Sequence, residues 1–133
     1  MPSVEIVEVA PRDGLQNEAR LVSTAQKLEL IGRAIAAGAR RLEVTSFVNP
    51  RRVPQMADAD AVAQGLPERD EVTFIALVLN RRGAERALAT RIDELGAVCV
   101  ASDTFAMRNQ GQTSAESLEI ARETVALAKA AGR

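Results

Sequence analysis

Val4-Glu5-Ile6-Val7-Glu8-Val9-Ala10-Pro11-Arg12-Asp13-Gly14-Leu15-Gln16-Asn17-Glu18 decides how this chain folds. The β-branched run Val4–Val9 reads as a first strand. Pro-Arg-Asp-Gly then closes it and sets a cation, a carboxylate and a carboxamide within five positions, Arg12 to Gln16. In a barrel of alternating strands and helices, the C-terminal ends of the strands are where chemistry is placed. The plainer alternative is a surface turn, since Asp-Gly is an ordinary turn dipeptide and Arg-Asp an ordinary surface pair.

Working outward, short apolar runs recur, each followed by a helix-like segment. Further strands are expected at Arg41–Ser46, Val72–Leu79 and Ala97–Ala101. Ser23 with Gln26 forms a capping box for a helix whose apolar face is Leu28, Ile31 and Ile35, and Gly38 stands where that helix should end. Other helices are expected over Met56–Gln64, Arg81–Thr90 and Ser114–Ala131. The last opens on a Thr113/Glu116 capping box and carries Leu118, Ala121, Val125 and Ala128 as its apolar stripe.

Four alternations of strand and helix predict an α/β fold with a parallel sheet. Two architectures fit: a small doubly wound sheet, or the first four βα units of a (β/α) TIM barrel. In the barrel, uncovered sheet edges favour association of the half-barrel with a second copy or a complementary half.

Composition narrows the function. The 133 residues are 47% hydrophobic and 26% charged, with a formal net charge of -1. Mixed charge and 2% aromatic content, with no Trp or Tyr, give no footing for nucleic acid or an anionic membrane. No apolar run approaches the roughly 20 residues that span a bilayer. A single cysteine and the absence of a secretory pattern point to the cytoplasm. Without histidine, Ser-His-Asp and Cys-His catalysis are excluded within these residues, and no Gly-rich phosphate loop occurs.

Candidate site residues gather at strand ends. In Arg41-Leu42-Glu43-Val44-Thr45-Ser46-Phe47, alternation places Leu42 and Val44 on the helix-packed face and Glu43 with Thr45 on the opposite one. A carboxylate there needs a partner or a task; a structural ion pair with an arginine and a catalytic role are equally compatible. The loop Val48 to Met56 carries Arg51 and Arg52, which suit phosphate groups or simply a solvated basic loop. Ser102, with Arg108 and Asn109 after it, could meet an extended ligand or cap a helix. Cys99 reads as a small hydrophobe inside a strand rather than a nucleophile.

Taken together these residues resemble the 3-hydroxy-3-methylglutaryl-CoA lyase family, metal-dependent TIM-barrel enzymes. The resemblance rests on Val9 to Glu18, Glu43 to Pro50, Val53 to Asp58, Ala101 to Phe105 and Asn109. It implies a retro-Claisen cleavage of a 3-hydroxy-3-methylglutaryl thioester into acetyl-CoA and acetoacetate. By this resemblance Asp13 is a ligand of Mg²⁺ or Mn²⁺, Arg12 stabilises the enolate, and Glu43 holds Arg12 or helps move protons. Gln16 falls at a polar active-site position, while Asn17, Ser102, Arg51 and Arg52 are weaker contacts for the acyl-CoA substrate. The family's His-x-His pair, a further asparagine and a cysteine in a Gly-rich loop have no counterpart here. The chain is therefore expected to supply the N-terminal half, residues 1–133, of one (β/α)8 barrel of roughly 250 residues, inactive by itself. A sister 3-hydroxyacyl-CoA lyase, an enzyme condensing acyl-CoA with a 2-oxo acid, a self-associating non-catalytic half-barrel and a flavodoxin-like binding domain are the alternatives.

Overall fold

Local sequence sets the helix boundaries. The computed structural model describes residues 2–133. Helix α1 (Thr24–Ala36) starts where Ser23 Oγ accepts from Gln26 N at 3.3 Å and Gln26 Oε1 accepts in return from Ser23 N at 3.1 Å. It ends at Gly38, whose φ of +108° favours a residue without a Cβ. Strand β1 (Arg41–Phe47) follows, then a 3-10 turn at Pro54–Met56 and the short helix α2 (Ala59–Gln64). Next come β2 (Thr73–Val78), α3 (Arg81–Leu88), β3 (Glu94–Ala97), α4 (Asp103–Gln110) and α5 (Ser114–Ala130).

The described residues form a three-stranded parallel sheet in the order β1-β2-β3. On its helix-packed face, Leu42, Val44, Phe74, Ala76 and Val78 join Ile31 and Ile35 of α1, Val62 of α2 and Ala84 and Ala87 of α3 in one core. Burial of this apolar surface, at about 25 cal/mol per Å² removed from water, is the main force holding sheet to helices.

Several expectations give way here. The segment Val4–Val9 is not a strand: Glu8 alone bridges to Leu42, donating to Arg41 O and accepting from Glu43 N, each at 2.9 Å. Val4 and Ile6 are 89% and 81% exposed. A β-branched run becomes a strand only where a neighbour pairs with it and its side chains find cover.

The last strand comes earlier than expected, at Glu94–Ala97 instead of Ala97–Ala101. Beyond it, Ser117 Oγ of α5 accepts from Val100 N at 3.1 Å and donates to Val98 O at 3.2 Å. That hydroxyl takes the place of a strand partner. Cys99 is accordingly exposed, not buried in a strand.

Helix α2 is shorter than expected: Pro54–Met56 form a separate 3-10 turn, and Asp58, at the N-cap, turns its carboxylate to Thr24 and Lys27. Helix α5 is turned by one position. It buries Ser117, Ala121 and Thr124, leaving Leu118 and Val125 exposed. Helix α4 is absent from the expected helices, although Ser102, its N-cap, reads as a possible helix cap.

Candidate active site

The turn after Val9 is wound tightly. Residues Ala10–Gly14 form a π-helical turn in which Val9 O accepts from Arg12, Asp13 and Gly14 N at 3.1, 2.8 and 3.4 Å. Pro11 is buried and fixes the start of the turn. Single π-turns of this kind frequently mark functional sites. This one delivers Arg12 and Asp13 together to the edge where β1 passes.

Arg12 meets Glu43 there. Its Nε donates to Glu43 Oε1, and its NH1 donates to Asp13 Oδ1 at 3.0 Å. The Arg12 and Glu43 side chains are only 16% and 14% exposed, whereas Asp13 is 57% exposed. Glu43 thus pins a cation that is largely withdrawn from water, and Asp13 keeps an oxygen open to solvent. Asn17 donates to Asp13 O at 2.8 Å, so it braces the turn. Gln16 Oε1 is buried and has no hydrogen-bond partner among the described residues, an uncommon state for a buried polar atom.

A β-bulge changes which side chains share this face. The register against β2 shifts between Glu43 and Thr45, with Glu43 opposite Ile75 and Thr45 opposite Ala76. Val44 is the extra residue. Strict alternation put Thr45 beside Glu43. The bulge instead moves Thr45 to the helix-packed face, where its Oγ1 lies 3.9 Å from Met56 Sδ. Ser46 replaces it beside Glu43, in line with Leu77, and its Oγ is fully buried without a partner among the described residues.

A second group braces the site from behind. Lys27, buried in α1, donates to Gln55 O and to Asp58 Oδ1, both at 2.5 Å, while Thr24 Oγ1 donates to Asp58 Oδ2 at 2.6 Å. Gln55 Nε2 in turn donates to Glu18 O at 2.8 Å, tying the loop after β1 to the end of the Arg12 turn. Lys27 was readable in principle, since it lies four residues before Ile31 on the apolar side of α1. Ser46 was not, because a bulge leaves no mark in the period-two pattern.

The weaker candidates lie apart. Arg51 and Arg52 are exposed on the loop after β1. Ser102 is the N-cap of α4, accepting from Phe105 N at 3.4 Å, the capping alternative that its sequence context allowed. No hydrogen bond or ion pair joins these three to Arg12, Asp13 or Glu43 among the described residues. Nor do the described residues hold any cluster of three or more Asp, Glu, Cys or His side chains suited to a metal ion.

These features agree with what comparison shows. The profile of the HMGL-like family matches residues 3–133. The chain belongs to the HMGL-like family. It is 48% identical over 128 residues to a protein named (R)-citramalyl-CoA lyase from Chloroflexus aurantiacus, covering 89% of this chain and 40% of that one. The hydroxymethylglutaryl-CoA lyase of Pseudomonas mevalonii is 43% identical over 119 residues, 90% of this chain and 40% of that protein.

Solved structures give the same answer for the fold. The HMG-CoA lyase of Brucella melitensis superposes with a TM-score of 0.92 at 45% identity, covering 97% of this chain and 46% of that one. An HMG-CoA lyase of Acinetobacter baumannii, solved with coenzyme A and 3-methylmalate, gives 0.87 at 36%, covering 91% and 40%. The HMGL-like chain therefore has the TIM-barrel fold class that the family resemblance implied, where alternation alone also allowed a doubly wound sheet. It spans about 40% of the length of the curated relatives it matches.

Proposed function

We propose that this HMGL-like chain supplies residues of a carbon–carbon lyase that splits 3-hydroxy-3-methylglutaryl-CoA into acetyl-CoA and acetoacetate. Residues 1–133 would form the N-terminal part of a single (β/α)8 catalytic barrel. The observation that carries the reading is the Arg12–Glu43 pair, a fixed and largely desolvated cation beside the third residue of β1.

In such a cleavage a base takes the proton of the C3 hydroxyl, the C2–C3 bond breaks, and its electron pair passes to the thioester as an enolate. A proton returned to that carbon completes acetyl-CoA. Arg12 stabilises the enolate oxygen, being held in place before the charge develops. Glu43 keeps the guanidinium from swinging away and supports its charge. The unpartnered Oε1 of Gln16 and Oγ of Ser46 are available to receive hydrogen bonds from the substrate; Asn17 keeps the turn closed.

The reaction class calls for Mg²⁺ or Mn²⁺, which would polarise the substrate oxygens. Asp13 is a chemically suitable ligand with a solvent-open oxygen. A single carboxylate, itself engaged by Arg12, does not hold a catalytic metal, and no second ligand stands beside it among the described residues. The metal site is thus not built from these residues alone.

The 48% identity to the (R)-citramalyl-CoA lyase supports a second reading, a sister thioester whose cleavage releases a 2-oxo acid. The test is product analysis with the natural protein as isolated from its source, supplied with Mn²⁺. Release of acetoacetate from the glutaryl thioester supports the first reading, and 2-oxo acid from a citramalyl thioester the second. Neither product from either substrate ends both. Arg12→Gln should lower kcat by about 10²–10³ with binding nearly held, the loss typical of one charge-stabilising donor.

A further inference from the structure

Arg12, Asp13 and Gln16 sit on a segment that is lightly tied to the rest of the molecule. Among the described residues, two hydrogen bonds join Ala10–Glu18 to parts of the chain remote in sequence. One is the Arg12–Glu43 pair at the front of the segment. The other runs from Gln55 Nε2 to Glu18 O, at 2.8 Å, and holds its far end. Packing adds little there: Leu21 is 61% exposed, and a cavity of about 340 Å³ is lined by Leu21 and Val22 together with Pro54 and Gln55. Within the segment, Asn17 donates to Asp13 O and Gly14 O, so a displacement at Glu18 is passed on to Asp13.

Gln55 is itself held by Lys27. The Lys27 side chain is 4% exposed, and its ammonium donates to Gln55 O and to Asp58 Oδ1. Thr24 Oγ1 fixes the other Asp58 oxygen. The ammonium thus grips the loop after β1 at two points, within the Pro54–Met56 turn and just beyond it. A buried lysine is a costly way to fill this space, because desolvation offsets much of what its ion pair gains, and an apolar side chain of like volume is often as stable. What an apolar side chain cannot supply is directed hydrogen bonds. Here they end on the loop that carries Gln55.

We infer that Lys27 and Gln55 are positioning residues for the reaction at Arg12, a role that rests on the lyase reading above. Lys27 sets the loop after β1, and Gln55 transmits that setting to the Arg12 turn through Glu18 O. Glu43 holds only the guanidinium of Arg12; the Lys27–Gln55 brace holds the backbone that carries Asp13 and Gln16. Misplacing such groups by a fraction of their contact distance costs rate more than binding.

The experiment compares three forms of the natural protein: wild type, Gln55→Met and Lys27→Met/Asp58→Asn. Gln55→Met removes the donor to Glu18 O and keeps the backbone oxygen that Lys27 holds. The double variant removes the ammonium without leaving the Asp58 carboxylate unpaired, so the fold is spared an uncompensated buried charge. Amide exchange is followed by mass spectrometry, and kcat and KM are measured for the thioester that wild type cleaves. In both variants exchange over Arg12–Glu18 should quicken by about two- to tenfold, the worth of one hydrogen bond, while that of Leu28–Ala36 stays as in wild type. Both should lose about tenfold or more in kcat with KM nearly held, and the thermal midpoint of Gln55→Met should not move. Combining all the substitutions should lower kcat no further than the double variant does, since both act through one contact.

Unchanged exchange over Arg12–Glu18 in Gln55→Met overturns the inference, and so does a wild-type kcat in that variant. A thermal midpoint that falls together with kcat in Gln55→Met makes the residue structural and overturns it too. Additive losses of kcat in the combined variant overturn the path from Lys27 through Gln55. If wild type cleaves neither thioester, the lyase reading falls by itself and exchange alone judges the brace: quickened exchange supports it, and unchanged exchange overturns it.

Discussion

On the helix-packed face of the sheet, Leu42, Val44, Phe74, Ala76 and Val78 are all 5% exposed or less and carry no polar atom on their side chains. The opposite face of the same strands carries Arg41 paired with Glu94, Glu43 paired with Arg12, and the unpartnered hydroxyl of Ser46. Both faces use the same backbone ladder. One is filled for packing, where volume decides; the other holds charges that are costly to withdraw from water and repaid only where partners stand ready. Unsatisfied polar atoms (Gln16 Oε1, Arg41 Nε and Ser46 Oγ) belong to this second region or the turn beside it. The difference teaches where this molecule stores stability and where it keeps unmet bonding capacity for something else.

The helix-packed face should break most easily. Leu42 is fully buried in the middle of the core. Leu42→Ala should cost about 2–5 kcal/mol, the transfer loss plus the cavity left behind. Urea unfolding followed by circular dichroism checks this, and a cost below about 1 kcal/mol would mean that this face is not the close-packed region described.

On the other face Glu43→Gln removes charge but almost no volume. The hydrogen bond to a charged partner is lost or weakened and Arg12 stays largely withdrawn from water, so the expected cost is about 1–3 kcal/mol. The same unfolding experiment reads it. A cost equal to that of Leu42→Ala would erase the contrast, while no cost would show the pair to be held for chemistry alone.

A smaller effect tests a polar contact far from either face. Asp103 has its pKa lowered from the ordinary 3.8, first by the backbone N–H of Ser114 and then by the Ser114 hydroxyl, both at 2.7 Å. A carboxylate with a folded pKa below its unfolded value stabilises the fold above the unfolded value and loses that contribution as pH falls through the folded one. The start of α5 should therefore loosen from about pH 4 downward, read as faster exchange of the Ser114 amide, and Asp103→Asn should abolish the pH dependence. Because Asp103 is solvent-exposed, the global midpoint should hardly move.

How much of this could be read beforehand follows from the range of the interactions involved. The capping boxes at Ser23 and Thr113 lie within four residues, and both are present as read. The meeting of Arg12 with Glu43 was legible because Glu8 does bridge to Leu42, although the surrounding run never forms a strand. What escaped depends on contacts remote in sequence. The bulge at Val44 follows from pairing with β2, the end of β3 from the Ser117 hydroxyl, and the exposure of Cys99 from that same exchange. The ion pair of Lys27 likewise rests on Asp58 and Gln55, about thirty residues on, which enclose it.

The finest test uses two neighbours on opposite faces. Ser46 Oγ is buried and unpaired, so Ser46→Ala gives up no hydrogen bond within the protein and removes a desolvated hydroxyl. Stability should stay within about 0.5 kcal/mol of the original or rise slightly. Thr45→Val, one position earlier but on the packed face, should be comparably mild, since Met56 Sδ at 3.9 Å is a weak acceptor. The two should separate in the proposed carbon–carbon cleavage of the acyl-CoA by the natural protein: Ser46→Ala should lower it about tenfold, the equivalent of about 1.4 kcal/mol, and Thr45→Val should leave it unchanged. Equal losses would place both hydroxyls on one face and remove the bulge from the argument. A stability loss above about 1 kcal/mol for Ser46→Ala would reveal a partner for its hydroxyl, making it part of the packing after all.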